Sequence, residues 1–172
     1  MALGGVGGAV ATLAMTVTLM AAKKLGLLGK LPPKKIVQGV RRRMGLFGVS
    51  RGAENAATIA AHWGFGIAAG ALFGLFHPRP RGVVSSSLLG AGYGAAIFTS
   101  SYYGWVPALG FMEPPHRDRP FRPASMVAGH LVFGSVLGAF VDGFLPPGDA
   151  EPPARAIVDE REPHHDQQPK YP

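Results

Sequence analysis

The sequence predicts an all-α membrane protein whose four transmembrane helices form two tandem helical hairpins. This prediction depends on four long apolar segments and on a histidine motif that occurs twice. Hydrophobic residues make up 47% of the 172 residues and charged residues only 16%, against roughly 25% charged residues in a typical soluble domain. We therefore expect one compact unit that lies in a bilayer.

A helix needs about 20 mostly apolar residues to cross a bilayer, and four segments meet this requirement. We place the spans at about residues 2–22, 54–76, 83–106 and 124–145, within a transmembrane domain of residues 1–146. Pro107 ends the third span, because proline cannot continue a helix. Residues 23–53 form a basic connector. The proline-rich tail, residues 147–172, has too few apolar residues for a core, and we expect it to be disordered.

The motif His-x-x-Phe-Gly-x-x-x-Gly-Ala starts at His62 in the second span and again at His130 in the fourth. A weaker similarity relates the first span to the third, and Pro32-Pro33 to Pro114-Pro115. The same order of features in both halves predicts a duplicated two-helix unit. The halves are then related by a pseudo-two-fold axis along the membrane normal.

Glycines recur at every fourth position of the spans and so share one face of each helix. Without Cβ atoms, the backbones of two membrane helices can approach closely and gain dispersion contacts. We expect helix packing at Gly66, Gly70, Gly74, Gly134, Gly138, Gly90 and Gly94. In the alternative interpretation, these glycines leave room for a flat cofactor or substrate.

The histidine of each motif lies within a span, where an ionisable side chain normally faces the bundle interior. We expect His62 and His130 at similar depth. Hydroxyls at suitable depths to bond them belong to Thr12, Thr16, Thr18, Thr99, Ser100 and Ser101; of these, Thr16, Thr99 and Ser100 are our interior polar candidates. Three interpretations stay open. Each histidine bonds a hydroxyl or carbonyl group of a neighbouring helix in a structural role, or the pair lines a titrating polar pathway, or the two rings are axial ligands of one haem.

Other polar and aromatic residues lie near the ends of the spans. Tyr102, Tyr103 and Trp105 are expected to form an aromatic belt at the membrane surface. Asp142 lies three residues before the end of the fourth predicted span, so we expect water around it.

Basic residues are unevenly distributed between the two sides of the predicted bundle. The first and third connectors hold twelve of the 17 lysines and arginines, and the opposite side holds five. By the positive-inside rule, these connectors are cytoplasmic and both termini are periplasmic. The net charge of +7 lies mostly beside membrane spans, so we expect no nucleic-acid partner.

The first connector contains an amphipathic stretch of apolar residues that starts at Ile36. It predicts a short helix on the cytoplasmic leaflet, as an alternative to an ordinary positive-inside loop. The side chains expected to contact anionic lipid headgroups are Lys34, Lys35, Arg41, Arg42 and Arg43.

Several kinds of chemistry are not expected. The chain has no cysteine, which excludes disulfides and cysteine-ligated metals. The spans hold no paired carboxylates, and the sequence contains neither a Ser-His-Asp arrangement nor a His-Glu-x-x-His metal motif. The sequence therefore predicts neither an enzyme nor a designed metal site.

Part of the chain, roughly residues 60–140, is similar to a known family. The residues that carry this similarity are Ala61-His62-Trp63-Gly64-Phe65-Gly66, Gly70-Ala71-Leu72, Tyr103-Gly104-Trp105-Val106-Pro107-Ala108-Leu109-Gly110, Pro114-Pro115 and Gly129-His130-Leu131-Val132-Phe133-Gly134. With them the chain resembles the YagU-like group of uncharacterised four-helix proteins of the bacterial inner membrane. The resemblance implies that location, no established activity and no catalytic residues.

The expected function follows from these features together. We expect a structural or accessory subunit, as a homodimer or within a larger membrane complex. The first alternative is a small transporter or proton-conducting protein that uses His62 and His130. The second is a membrane subunit in which the same two histidines bind haem.

Overall fold

The computed structural model describes residues 1–28, 32–77, 82–112, 115–118 and 120–144, and this part of the chain is helical without strands. Four helical segments are long and apolar enough to cross a membrane. They are α1 (Ala2–Lys24), α3 (Arg51–Phe76), the segment from α4 (Val83–Thr99) through a π-helix (Ser100–Trp105) to α5 (Val106–Ala108), and α6 (Arg122–Phe144). The remaining helices are α2 (Pro32–Arg43) and a 3₁₀ turn (Pro115–Arg117). These four helical segments are consistent with the predicted multi-pass membrane protein.

The observed helices lie close to the predicted spans, and local chemistry sets some of their ends. The Ser50 side chain accepts a hydrogen bond from the Ala53 N–H at 3.2 Å, which caps the start of α3 three residues before the predicted boundary. After α1, Gly26 adopts a φ of +76°, a left-handed conformation that suits glycine beyond a helix end. The predicted disordered tail, residues 147–172, lies outside the described residues.

The third membrane segment changes its helical geometry before Pro107. Proline has no N–H, and its ring clashes with the carbonyl group four residues earlier, here that of Tyr103. The helix widens to a π-helix over this stretch, and Gly104 leaves the helical region at φ −101° and ψ −109°. Such a widening shifts the residues that follow it around the helix axis.

Glycine contacts hold the helices together in two antiparallel pairs. A Cβ atom built on Gly70 of α3 would overlap the Gly4 carbonyl oxygen and the Gly8 Cα of α1. In the second pair, a Cβ on Gly134 of α6 would overlap the Gly90 carbonyl oxygen of α4. A Cβ on Gly74, Gly94 or Gly138 would likewise meet backbone atoms, and one on Gly66 would overlap the hydroxyl of Thr12. The packing of α1 on α3 and of α4 on α6 therefore leaves no space for side chains at these positions.

The two pairs meet mainly along α1 and α6, whereas the backbones of α3 and α4 approach each other at few positions. Tyr93 bridges that wider side by donating a hydrogen bond from its hydroxyl to the Ala69 carbonyl oxygen at 2.8 Å. The outer faces are apolar: Leu13, Val17 and Leu88 are 53%, 60% and 70% exposed. Lipid tails can cover such faces at no hydrophobic cost.

Helix α2 packs against α3 through the buried carboxylate of Glu54. Glu54 accepts a hydrogen bond from the Gln38 amide at 2.7 Å and pairs with Arg41 at 2.9 Å and Lys34 at 3.8 Å. The predicted amphipathic helix is confirmed over Pro32–Arg43, but two of its basic side chains contact Glu54. Lipid contact by Lys34, Lys35, Arg41, Arg42 and Arg43 stays a prediction.

Candidate functional site

A cavity of about 250 Å³ lies inside the bundle at the end that carries α2, hereafter the α2 end. Its walls come from α1, α3, α6 and the third membrane segment, on the side where α3 and α4 separate. Ile36 of α2 and Met112 also line it. Most of the lining is apolar and includes Met15, Leu19, Phe65, Ile97, Met126 and Phe133.

Both motif histidines line this cavity. On α3, Nε2 of His62 lies 3.2 Å from Oγ1 of Thr16 on α1. This bond has the predicted form, an imidazole bonded to a hydroxyl of the neighbouring helix. Thr16 continues the glycine face of α1 by two turns, since Gly8, Thr12 and Thr16 are spaced by four residues.

His130 has a different partner. Its Nδ1 lies 2.8 Å from the carbonyl oxygen of Met126, one turn earlier on the same helix, α6. Its ring also contacts the edge of Phe98, with centroids 5.5 Å apart. The prediction that His130 bonds a polar group of a neighbouring helix is therefore wrong. Phe98 lies where α4 faces this histidine, so the nearest available acceptor is the carbonyl group of the same helix.

Two of the three interior polar candidates lie elsewhere. Thr99 and Ser100 are exposed, and their hydroxyls donate to carbonyl oxygens of their own helix, those of Ala95 at 2.9 Å and Ile97 at 3.1 Å. The prediction that they face the interior is therefore wrong. Ser101 and Tyr102 line the cavity instead, and they follow the inward-facing Ile97 and Phe98 by four residues.

A second polar cluster lies at the opposite end of the bundle and consists of His77, Ser86 and Asp142. All three are buried, at 1%, 0% and 7% exposure. The Ser86 hydroxyl donates to Oδ1 of Asp142 at 2.6 Å, and Nε2 of His77 lies 3.1 Å from the same hydroxyl oxygen. The prediction that water surrounds Asp142 is therefore wrong, because α4 covers this part of α6.

The order of contacts in this cluster does not suit nucleophilic catalysis. In a hydrolase triad, the imidazole lies between hydroxyl and carboxylate and takes the proton of the hydroxyl. Here Ser86 lies between the other two side chains and donates its hydroxyl hydrogen bond to Asp142. The hydroxyl oxygen can then only accept, so Nε2 of His77 must be the donor in the second contact. Among the described residues, no group of three or more His, Asp or Glu side chains is placed to hold a metal ion.

A third polar group closes the α2 end beside the cavity. Asp118 accepts hydrogen bonds from the Tyr102 hydroxyl at 2.5 Å and from Nη1 of Arg122 at 2.9 Å. Arg122 is 2% exposed and Tyr102 is 7% exposed. Tyr102 is thus a buried hydrogen-bonding residue and not part of an aromatic belt, whereas Tyr103 and Trp105 are exposed at 60% and 40%.

Residue spacing in the sequence indicates the cluster at the opposite end of the bundle. Ser86 precedes Gly90 by four residues, and Asp142 follows Gly138 by four. Each therefore extends a glycine packing face by one turn, and in an antiparallel pair those two ends meet.

Comparisons with models of protein families, with curated proteins and with solved structures find no match to this chain.

Proposed function

We propose that this chain is a membrane-embedded accessory protein that binds one small apolar molecule from the bilayer in the cavity at the α2 end. One observation carries the proposal: both motif histidines line an apolar cavity on the side where α3 and α4 separate. Ligand sites are mostly apolar and carry a few polar groups that fix orientation. A molecule dissolved in the bilayer reaches such a site without crossing water.

The packing of the helices supports binding over a purely structural role for the histidines. Elsewhere in the bundle, α1 and α3, and α4 and α6, are in backbone contact at their glycines. A purely structural role for the histidines does not call for an apolar cavity of about 250 Å³ beside the two imidazole rings. Atoms that line an unfilled cavity lack dispersion contacts, which a bound apolar molecule would supply.

The same arrangement favours binding over proton conduction. The inward residues of α6 between His130 and Asp142 are Phe133, Leu137 and Val141, each at most 4% exposed. These apolar side chains separate the two polar sites along α6, and the hydroxyl of Tyr93 is already committed to the Ala69 carbonyl oxygen. A proton relay needs polar groups or water in an unbroken sequence. The haem interpretation needs a lone pair of each histidine directed at one iron, and an absorption spectrum with a Soret band would support it instead.

We also propose that the two helix pairs arose by duplication, with a two-helix unit repeated in tandem. A Cβ on Gly8 meets the carbonyl group of Gly66, and a Cβ on Gly90 meets that of Gly134. The first members of these contacts are 82 residues apart and the second members are 68 apart. The offset of 68 is that of the histidine motif, and 82 is that of the two proline pairs. The weaker sequence match of the first span to the third has an offset of 84 instead, because it aligns Gly8 with Gly92, which has open space around it.

Blocking the cavity tests the proposed binding. Ala61 lines the cavity and is exposed, so Ala61→Phe fills the entrance without forcing a large side chain into packed helices. We expect native mass spectrometry of the wild-type protein to show saturable binding of one decyl-1,4-benzohydroquinone molecule, and Ala61→Phe to lower the affinity at least tenfold.

The matched control for this variant is Ala60→Phe. Ala60 is exposed on the same helix but does not line the cavity, so its replacement should leave the affinity unchanged. Equal binding by all three proteins would show that the probe associates with the outer surface, and the proposed site would then be abandoned.

We further propose that the α2 end is cytoplasmic and both termini periplasmic, because twelve of the 17 basic residues lie in the two connectors at the α2 end. In a bacterial host, a reporter inserted beside Gly48 should then behave as cytoplasmic and one fused after Tyr171 as periplasmic. The reverse pattern would overturn the orientation and leave the four spans unchanged.

A further inference from the structure

The hydrogen bonds of the two cavity histidines determine what kind of polar group a ligand must carry. The Thr16 hydroxyl donates its single hydrogen to the Thr12 carbonyl oxygen at 2.7 Å. Its oxygen can then only accept from His62, so Nε2 of His62 carries the proton of this contact. In the neutral ring, Nδ1 of His62 is left as a hydrogen-bond acceptor.

The same reasoning applies to His130. A carbonyl oxygen only accepts, so Nδ1 of His130 must donate to Met126. The neutral ring therefore has Nε2 as its acceptor. Both rings present one acceptor nitrogen, although they bond different partners through different ring atoms.

Neither acceptor nitrogen has a hydrogen-bond partner within the described part of the chain, and neither is among its fully buried unpaired polar atoms. Both therefore retain accessible surface on side chains that line the cavity. The other hydroxyls of the lining are already committed as donors: Thr12 to Gly8, Ser101 to Ile97 and Tyr102 to Asp118. The cavity thus offers two acceptor nitrogens, and among the described residues the indole N–H of Trp105 is its one side-chain donor without a hydrogen-bond partner.

We propose that the natural ligand is an apolar molecule that donates hydroxyl hydrogens, such as a hydroquinone ring or a long-chain alcohol. This inference rests on the proposed binding function. Such a ligand satisfies His62 and His130 and buries its apolar body among the surrounding side chains. A molecule of the same shape with only acceptor oxygens leaves both nitrogens unpaired, which is costly in an apolar site.

A matched set of probes tests this selectivity in the wild-type protein. The set comprises decyl-1,4-benzohydroquinone under anaerobic conditions, its dimethyl ether, the oxidised decyl-1,4-benzoquinone, 1-dodecanol and dodecyl methyl ether. We expect each hydroxyl compound to bind at least tenfold more tightly than its ether, equivalent to about 1.4 kcal/mol. The quinone should bind as weakly as the dimethyl ether. The relative affinities of the hydroquinone and dodecanol show whether a ring or a chain is preferred.

Two variants assign the selectivity to the histidines. His62→Phe and His130→Phe each keep a ring in the cavity and remove its acceptor, so the preference for hydroxyl over ether should fall in each. Thr99→Val, on the exposed face of α4, should keep it. Equal affinities for alcohols and ethers in the wild-type protein would overturn this inference and leave the proposed binding function standing. Failure of every probe to saturate would overturn the binding function itself.

Discussion

Gly70→Leu should prevent stable assembly of the bundle. A Cβ at this position would overlap the Gly4 carbonyl oxygen and the Gly8 Cα and N atoms, all of them backbone atoms that cannot rotate away. Overpacking an interior typically costs about 1–3 kcal/mol, and a whole leucine side chain against a backbone belongs at or beyond the upper end of this range. Unfolding in detergent, followed by circular dichroism, should show the loss of stability directly.

The control for this prediction is Gly64→Leu on the same helix. Gly64 is exposed, has a helical φ and has no atom within 4 Å of a built Cβ. Its replacement should change stability by less than about 1 kcal/mol. Gly26 also has open space, but its left-handed φ of +76° strains any other residue, so it is not a suitable control. Equal loss of stability for Gly64→Leu and Gly70→Leu would contradict backbone contact between α1 and α3.

The second large effect is expected at Asp118, whose side chain is 4% exposed. Asp118→Ala removes the carboxylate that accepts from the Tyr102 hydroxyl and that forms the buried ion pair with Arg122. Removing one partner of a buried ion pair typically costs about 3–5 kcal/mol. We expect a loss of this order in the free energy of unfolding in detergent, with the α2 end affected first in hydrogen exchange.

Tyr102→Phe separates the contribution of the Tyr102 hydrogen bond from that of the Arg122 ion pair. It keeps the ring, which stacks on Phe98 at 5.0 Å between centroids, and removes only the hydroxyl. A single hydrogen bond to a charged group is worth about 1.5–3 kcal/mol, so this variant should lose less than Asp118→Ala. If the tyrosine variant is the more damaging of the two, the ion pair with Arg122 is not the main stabilising contact.

The membrane helices could be predicted from the sequence because the length and apolar composition of a segment are enough to identify a span. The four spans, the packing glycines and the bond between His62 and Thr16 all follow from apolar length and a spacing of four residues. This spacing holds as long as the helix is regular.

The errors arise where depth in the membrane alone was the basis, or where a neighbouring helix determines burial. Depth predicts Thr99 and Ser100 as interior residues, but the buried face of α4 passes through Gly90, Gly94 and Phe98, and neither residue lies on it. Asp142 was expected in water because of its position near the end of a span, and only the partner helix α4 buries it. Hydropathy and residue spacing in a single sequence do not indicate which helix covers each end of its neighbour.

The glycine contacts have a consequence for how this sequence can diverge. At Gly70, Gly90 and Gly134, any substitution adds at least a methyl group where a backbone atom already lies. No residue is smaller than glycine, so these positions have no conservative replacement. A leucine or methionine of the cavity wall can exchange with another apolar residue of similar volume at a cost below about 1.5 kcal/mol. We therefore expect distant relatives to retain these glycines while the size and shape of the cavity vary. The same helix packing could then accommodate different ligands in different relatives.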